Sequence, residues 1–439
     1  MFNAKSRGNF FNTYYASIGE QFIWGPGKRL ATSLSEVITG VWPVLVIVMV
    51  ALMGHSNAHA FDDDRGISSI ELKPESFLDV NAHSFRRSKD LEWLSVKNGM
   101  RMAGGSISTN RLFLDSELRM QSEISEHLSV NINFEQDEFY TNKPLTRPEI
   151  SVDYYPLQDL DIGISILATA AHDKRQADLG YALTWGRLPN NFIRFSWLKV
   201  DNFYNDKNDF DDSFYEEFAE IVELKGVKSL TDKWLVQFTL KQSSPLVFIS
   251  DSETSRFEHE SHDYEVATYY HYAGDAFVGT KWRYFEIEKS LSETDSDRLQ
   301  EIAYYSGDAF WVKNYDEYEL TLGARYDLID EDLVDKMVTE DSFDFSLETA
   351  QVYASLYHEY TVHQAWDFGL YAGHSDRERI YNGGDEDEIR SEMESKFRGS
   401  WQYQSADKKS ALRFSLTLNL DNLISDPGDG GGIYYRTEF

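Results

Sequence analysis

Along much of this chain, apolar and polar residues alternate with a period of two. The clearest stretch lies near the end, where Leu412, Phe414, Leu416, Leu418 and Leu420 alternate with Arg413, Ser415, Thr417 and Asn419. The same arithmetic sets Leu128, Val130, Ile132 and Phe134 against Ser129, Asn131, Asn133 and Glu135, and Trp234, Val236, Phe238 and Leu240 against Leu235, Gln237, Thr239 and Lys241. Ile193, Phe195 and Trp197, and later Trp366, Phe368, Leu370 and Ala372, repeat it. Successive side chains of a strand point to opposite faces, so each segment reads as a strand with one apolar and one polar face.

Two kinds of connection alternate between these strands. The short turns are Ser125–His127, Gly186–Asn190, Ala273–Asp275, Ser306–Asp308 and Ser405–Lys408; the long polar links are Asp201–Glu217, Asp251–Asp263, Glu288–Arg298, Asp327–Leu347 and Ser375–Glu392. Short turns at one end and long loops at the other predict an all-β fold, a transmembrane antiparallel β-barrel with periplasmic turns and acidic extracellular loops. Counting from Leu112 to Phe439 gives about seventeen strands, and termini on one side require an even number, so a further strand is expected in Leu91–Met102 and a total of about 16–18. Tyr272–Phe277 and Tyr305–Phe310 echo one another, which fits two hairpins with similar turns. Trp185, Trp234, Trp311, Trp366 and Trp401 each fall near a short turn, where a periplasmic aromatic girdle is expected.

Composition alone would describe something else, an acidic soluble protein, with a formal charge of −32 and a mean hydropathy of −0.48. One apolar run breaks that picture: Val41–Met53 follows Lys28 and Arg29 and precedes Ala58-His59-Ala60 and the acidic start Phe61-Asp62-Asp63-Asp64. The run is shorter than the ~20 residues of a spanning helix, and a small-residue cleavage site follows it, so it reads as a secretory leader removed near Ala60. The expected organisation is a leader over 1–60, a segment over 61–105 serving as periplasmic tail, plug or first strand, and a barrel over 106–439. There is no cysteine, which excludes disulfides, thiolate catalysis and Cys-ligated metals. A closed barrel needs none of these, because every backbone donor and acceptor pairs with a neighbouring strand.

The chain ends Gly432-Ile433-Tyr434-Tyr435-Arg436-Thr437-Glu438-Phe439, with Ile433, Tyr435, Thr437 and Phe439 on one face. This resembles the C-terminal strand of Gram-negative outer-membrane β-barrel proteins. The resemblance implies that Ile433, Tyr435 and Phe439 form the signal read by the barrel-assembly machinery, and that the protein resides in the outer membrane against lipid and lipopolysaccharide.

Candidate chemistry is of three kinds. On the polar, lumen-facing side, Arg119, Arg194, Lys241, Lys281, Arg283, Arg325, Lys396, Arg398 and Arg413 are the expected pore-lining cations, accompanied by Asp115, Glu117, Glu135, Asp153, Glu319, Asp367 and Glu394. Rings of Arg and Lys favour anionic solutes, whereas the same residues zipped into ion pairs would close a lumen. The first case suits a channel for hydrophilic, anionic solutes or exopolysaccharide. By type the likeness is to acidic-polysaccharide exporters, with export-system proteins as partners. The alternative is a closed barrel with a surface or adhesion role through its acidic loops. Those loops, with Asp206, Asp209, Asp211, Asp212 and the block Asp385–Glu388, are either solvated or bridged to lipopolysaccharide by divalent cations, the one cofactor class the sequence suggests. Finally, His259, Ser261, His262 and Asp263 fall in one expected loop, the single candidate for a barrel hydrolase or a His-x-x-His metal site. No nucleophile elbow, P-loop or haem motif accompanies them, so no enzyme is expected, and the charge excludes nucleic acid as a partner.

Overall fold

The computed structural model describes residues 87–107, 111–137, 145–157, 160–169, 178–199, 214–217, 220–249, 256–292, 297–337, 342–382, 387–425 and 427–439. All belong to the compact unit Gly66–Phe439. The expected leader, its cleavage site, Asp206–Asp212, and Asp385 and Glu386 lie outside these residues. Among the described residues no helix is long and apolar enough to cross a membrane, and strands do the crossing.

One short helix, α1 (Arg87–Trp93), precedes the sheet. Then come β1 (Gly99–Ile107), β2 (Arg111–Ser125), β3 (Leu128–Asp137), β4 (Leu145–Leu157), β5 (Ile162–Thr169), β6 (Asp178–Gly186) and β7 (Phe192–Lys199). β8 (Phe214–Glu217) and β9 (Glu220–Thr231) are two parts of one interrupted strand, as are β10 (Trp234–Ser243) and β11 (Leu246–Ile249). There follow β12 (Arg256–Ala273), β13 (Ala276–Ser292), β14 (Asp297–Asn314), β15 (Tyr318–Asp335), β16 (Phe343–Thr361), β17 (Gln364–Tyr381), β18 (Glu388–Gln404), β19 (Ser410–Asn419) and β20 (Gly428–Glu438). Each pairs antiparallel with the next, and β1 pairs with β20 from Gly99↔Glu438 to Ile107↔Gly430. The meander is therefore a closed barrel of 18 strands, within the expected range. Phe439 N–H donates to Asn98 O at 3.1 Å, which ties the last residue into the closing seam. At that seam Gly105 sits so close to the opposing strand that a Cβ would lie 2.1 Å from Gly431 O.

The barrel is apolar outside and polar inside. On β4, Ile150, Val152 and Tyr154 are exposed while Ser151 and Asp153 are buried; on β6, Tyr181, Leu183 and Trp185 are exposed while Thr184 is buried. That inversion of a soluble core is what lipid on one side and a polar interior on the other demand.

Several expectations are corrected by the strands themselves. The upstream strand is β1 at Gly99–Ile107, across the 105/106 boundary, and Leu91 belongs to α1. Ser306–Asp308 is no turn, because it lies within β14, paired continuously to β13 and β15. Most of the "long loops" are strand. β12 begins at Arg256, β13 runs to Ser292, β15 to Asp335 and β17 to Tyr381. Strands β12–β18 reach 17–19 residues, against about 9–11 needed to cross the bilayer. One wall of the barrel thus continues roughly 20 Å beyond the membrane as ordered sheet, at about 3.3 Å per residue and with the usual strand tilt.

The membrane boundary on that wall is marked by tyrosines. Tyr264, Tyr284 and Tyr305 form an outward cross-strand ladder, with ring centroids 6.0 and 4.8 Å apart, and Tyr326 continues it on β15. Immediately above stand outward carboxylates, among them Glu260, Glu288, Glu301, Asp332 and Asp344, directly opposed across strands.

Candidate functional site

The candidate site is the interior of the barrel, whose chemistry is set by strand register. A lumen-facing residue has same-face neighbours opposite it on adjoining strands and two residues away on its own strand, so charges meet partners in either direction.

Most of the expected pore-lining cations are engaged in this way. Arg194 is 1% exposed and faces Asp153 at 3.4 Å and Glu149 at 3.7 Å. Arg119 pairs with Glu117, Arg283 with Asp263 at 3.2 Å, and Arg325 with Asp327 at 2.7 Å. Lys396 lies 2.7 Å from Asp429 and 3.3 Å from Glu394. Asp367 accepts from Arg398 at 2.8 Å and from Arg413 at 2.5 Å, and all three are buried. Those two arginines also lie over aromatic rings, Arg398 on Tyr371 and Arg413 on Tyr434. Lys281 stands opposite Asp308, and Lys241 opposite Asp263 and Glu223. The middle of the lumen is thus largely charge-neutralised.

Helix α1 is a second interior feature, within the segment 61–105 for which the sequence left tail, plug and first strand open. Arg87 donates to Asp308 at 2.7 Å and to the Tyr353 hydroxyl at 3.0 Å, and its guanidinium lies 4.5 Å from the Phe310 ring centroid. Ser88 donates to Glu319 at 2.5 Å. Leu91 and Leu94 pack on the lumenal cluster Ala267, Tyr269, Phe277, Phe310 and Val312. At the far end, Trp93 Nε1–H donates to Glu117 at 3.0 Å, and Arg101 and Arg119 lie over its ring. Asp308, Glu319 and Tyr353 stand on β14–β16, whereas Glu117 and Arg101 stand on β1–β2. The helix is therefore a crossbar inside the lumen, tied at its two ends to separate stretches of the wall. Its sequence is too short and too polar to show helical periodicity, so only the absence of alternation before Trp93 hinted at it.

The expected girdle tryptophans lie on the outward face near the turn end: Trp185 is held under Lys228, Trp311 donates to the Tyr272 hydroxyl at 2.6 Å, Trp366 faces Trp401, and Trp234 opens β10. Ile433, Tyr435 and Phe439 share the outward face of the closing strand and its end.

His259 and His262 are a correction. They lie on a strand, three residues apart, and so belong to opposite faces of the sheet and cannot share a metal. His262 contacts Glu260 and Tyr264, while Asp263 faces inward to Arg283. Ser391 and Asp376 do meet at His374, yet both contact its Nε2, at 3.4 and 3.1 Å. Nucleophilic catalysis needs the base between nucleophile and acid, with a different ring nitrogen for each. Among the described residues no cluster of three or more His, Asp or Glu could hold a metal ion.

A closed, inside-out antiparallel barrel of 18 strands defines the class: this is an outer-membrane type of transmembrane β-barrel. No protein-family profile matches the chain, and no curated protein matches its sequence. Among solved structures it is similar to OmpT, an outer membrane protein of Vibrio cholerae, at 10% identity over 78% of this chain and 96% of that one, with a TM-score of 0.35. It is similar to a bacterial polysaccharide outer membrane secretin at 9% identity over 79% and 99%, with a TM-score of 0.35. Pseudomonas aeruginosa OccK2, solved with glucuronate, matches at 10% identity over 78% and 97%, with a TM-score of 0.34.

Proposed function

We propose that this barrel is an outer-membrane channel for hydrophilic solutes, with α1 setting the width of its passage. The observation that supports this most is the polar interior of a closed 18-strand wall. A barrel of this strand number is on the order of 30 Å across between backbones, wider than side chains alone fill. Hydrophilic cargo suits a lining of Ser, Thr, Gln, Tyr and paired charges. Because Arg194, Arg283, Arg325, Lys396, Arg398 and Arg413 are compensated by carboxylates, preference for anions, and for acidic saccharide in particular, would have to arise elsewhere along the path.

Planar-bilayer recording on the refolded chain tests the proposal: discrete conductance steps support it. The crossbar favours one rival reading, a barrel held shut until α1 is released. In that case the full chain is silent and a variant lacking residues 87–94 conducts. Silence of both leaves a surface role for the acidic, outward wall.

A further inference from the structure

The tall wall over β12–β18 sorts charge between its faces. On β17 the run Asp376-Arg377-Glu378-Arg379 alternates, and the register turns Asp376 and Glu378 outward and Arg377 and Arg379 inward. Inward lies the extracellular mouth of the lumen. There Arg377 stands directly opposite Arg390 of β18, and Arg379 opposite Glu388. Arg379 lies over the rings of Phe343 and Phe345, at 4.8 and 5.1 Å from their centroids, and Arg377 over Phe345 at 5.6 Å. Glu388 pairs with Arg377 at 3.7 Å, and Glu392 shares the inward face two residues beyond Arg390, opposite Ser375. Among the described residues neither Arg379 nor Arg390 forms an ion pair. Like charges directly opposed across a strand pair are destabilising, so this wall carries an electrostatic cost that the compensated middle of the lumen avoids.

From this we propose that Arg377, Arg379 and Arg390 form a capture station for the carboxylates of an acidic saccharide entering or leaving the extracellular mouth. The inference rests on the channel reading and names its substrate class. A carboxylate between Arg377 and Arg390 replaces the repulsion with two charge-assisted hydrogen bonds, for which planar guanidinium forks are well shaped. Stacking on Phe343 and Phe345 holds two of the guanidinium groups in place, so less side-chain freedom is lost on binding. Arg377 and Arg379 are successive inward positions, ~7 Å apart along the strand, so neighbouring charged sugars of one chain can be held at once.

The test is calorimetric titration of the detergent-refolded full chain with trigalacturonate, and with maltotriose as the neutral trisaccharide. Wild type binds trigalacturonate and ignores maltotriose. The triple variant R377Q/R379Q/R390Q loses at least tenfold in affinity, while R377K/R379K/R390K, which keeps the charge but not the planar fork, loses part of it. Heat-modifiable gel mobility verifies that all three barrels are folded. Equal affinity in wild type and the glutamine variant overturns the proposal, as does equal binding of maltotriose. Displacement of trigalacturonate by equimolar inorganic phosphate overturns the saccharide assignment and leaves a bare oxyanion site. Titration needs no ion flow, so arginine-dependent binding by a silent barrel keeps this site and retires the channel. Conductance without that binding does the reverse.

Discussion

Replacing Trp93 with alanine should release the crossbar from the β1–β2 wall. Trp93 is 2% exposed, donates to Glu117, and lies against two guanidinium groups. Truncating a tryptophan so enclosed costs about 3–5 kcal/mol, and here the loss falls on the docking of α1, because β1 remains paired along both edges. At about 1.4 kcal/mol per tenfold change, the undocked population should rise by two powers of ten or more. The chain has no cysteine, so a single L91C reporter reads that population directly. Docked, position 91 packs on the Phe277–Phe310 cluster and should react slowly with a water-soluble maleimide. In the W93A background the labelling rate should rise about a hundredfold, while heat-modifiable mobility shows the barrel intact. An unchanged rate would refute the crossbar as a packed element.

Two further perturbations follow. Asp367→Asn removes the carboxylate shared by buried Arg398 and Arg413, which should cost about 3–5 kcal/mol in a urea titration of the folded barrel. An effect below 1 kcal/mol would show that the trio is not an energetic unit. On the outward rim, burial pushes the Glu288 and Asp332 carboxyls up, helped by Glu301 and Glu260 for the first and Asp344 and Asp330 for the second. An acid whose folded value is raised holds its proton more tightly when folded. Its stabilisation is therefore full at low pH and lost as pH rises through the folded value. The melting temperature should fall as pH rises above the ordinary carboxylate range, and Glu288→Gln should raise it at neutral pH and flatten the slope. Millimolar Mg²⁺ should have the same sign if divalent cations screen this rim, whereas a pH-independent melting point would contradict the crowding.

Strand existence, facing and closure were legible because period-two alternation is enforced by lipid on one face. Above the membrane that constraint ends. Segments such as Glu288–Ser290 and Asp376–Arg379 are polar on both faces, so they resemble loops although both are strand. The same blindness hid Arg377, Arg379 and Arg390. The echo of Tyr-x-Gly-Asp-Ala-Phe failed for a local reason. Gly274 occupies a turn with open space at its Cβ position, whereas Gly307 is flat strand beneath the Trp282 ring. The dipeptide Gly-Asp permits either, and pairing with β13 and β15 decides. The inward position of the cations was readable from alternation, but their neutralisation was not, since it depends on which strands lie side by side and in what register.

Single-channel recording of the refolded full chain beside the variant lacking residues 87–94 tests the central claim most directly. A seven-residue helix, about 10 Å long and 10 Å wide, fills part of a lumen about 30 Å across, so its removal should raise the conductance. Discrete steps that grow on deletion are the predicted result. A folded barrel that passes no ions with or without α1 would contradict a channel.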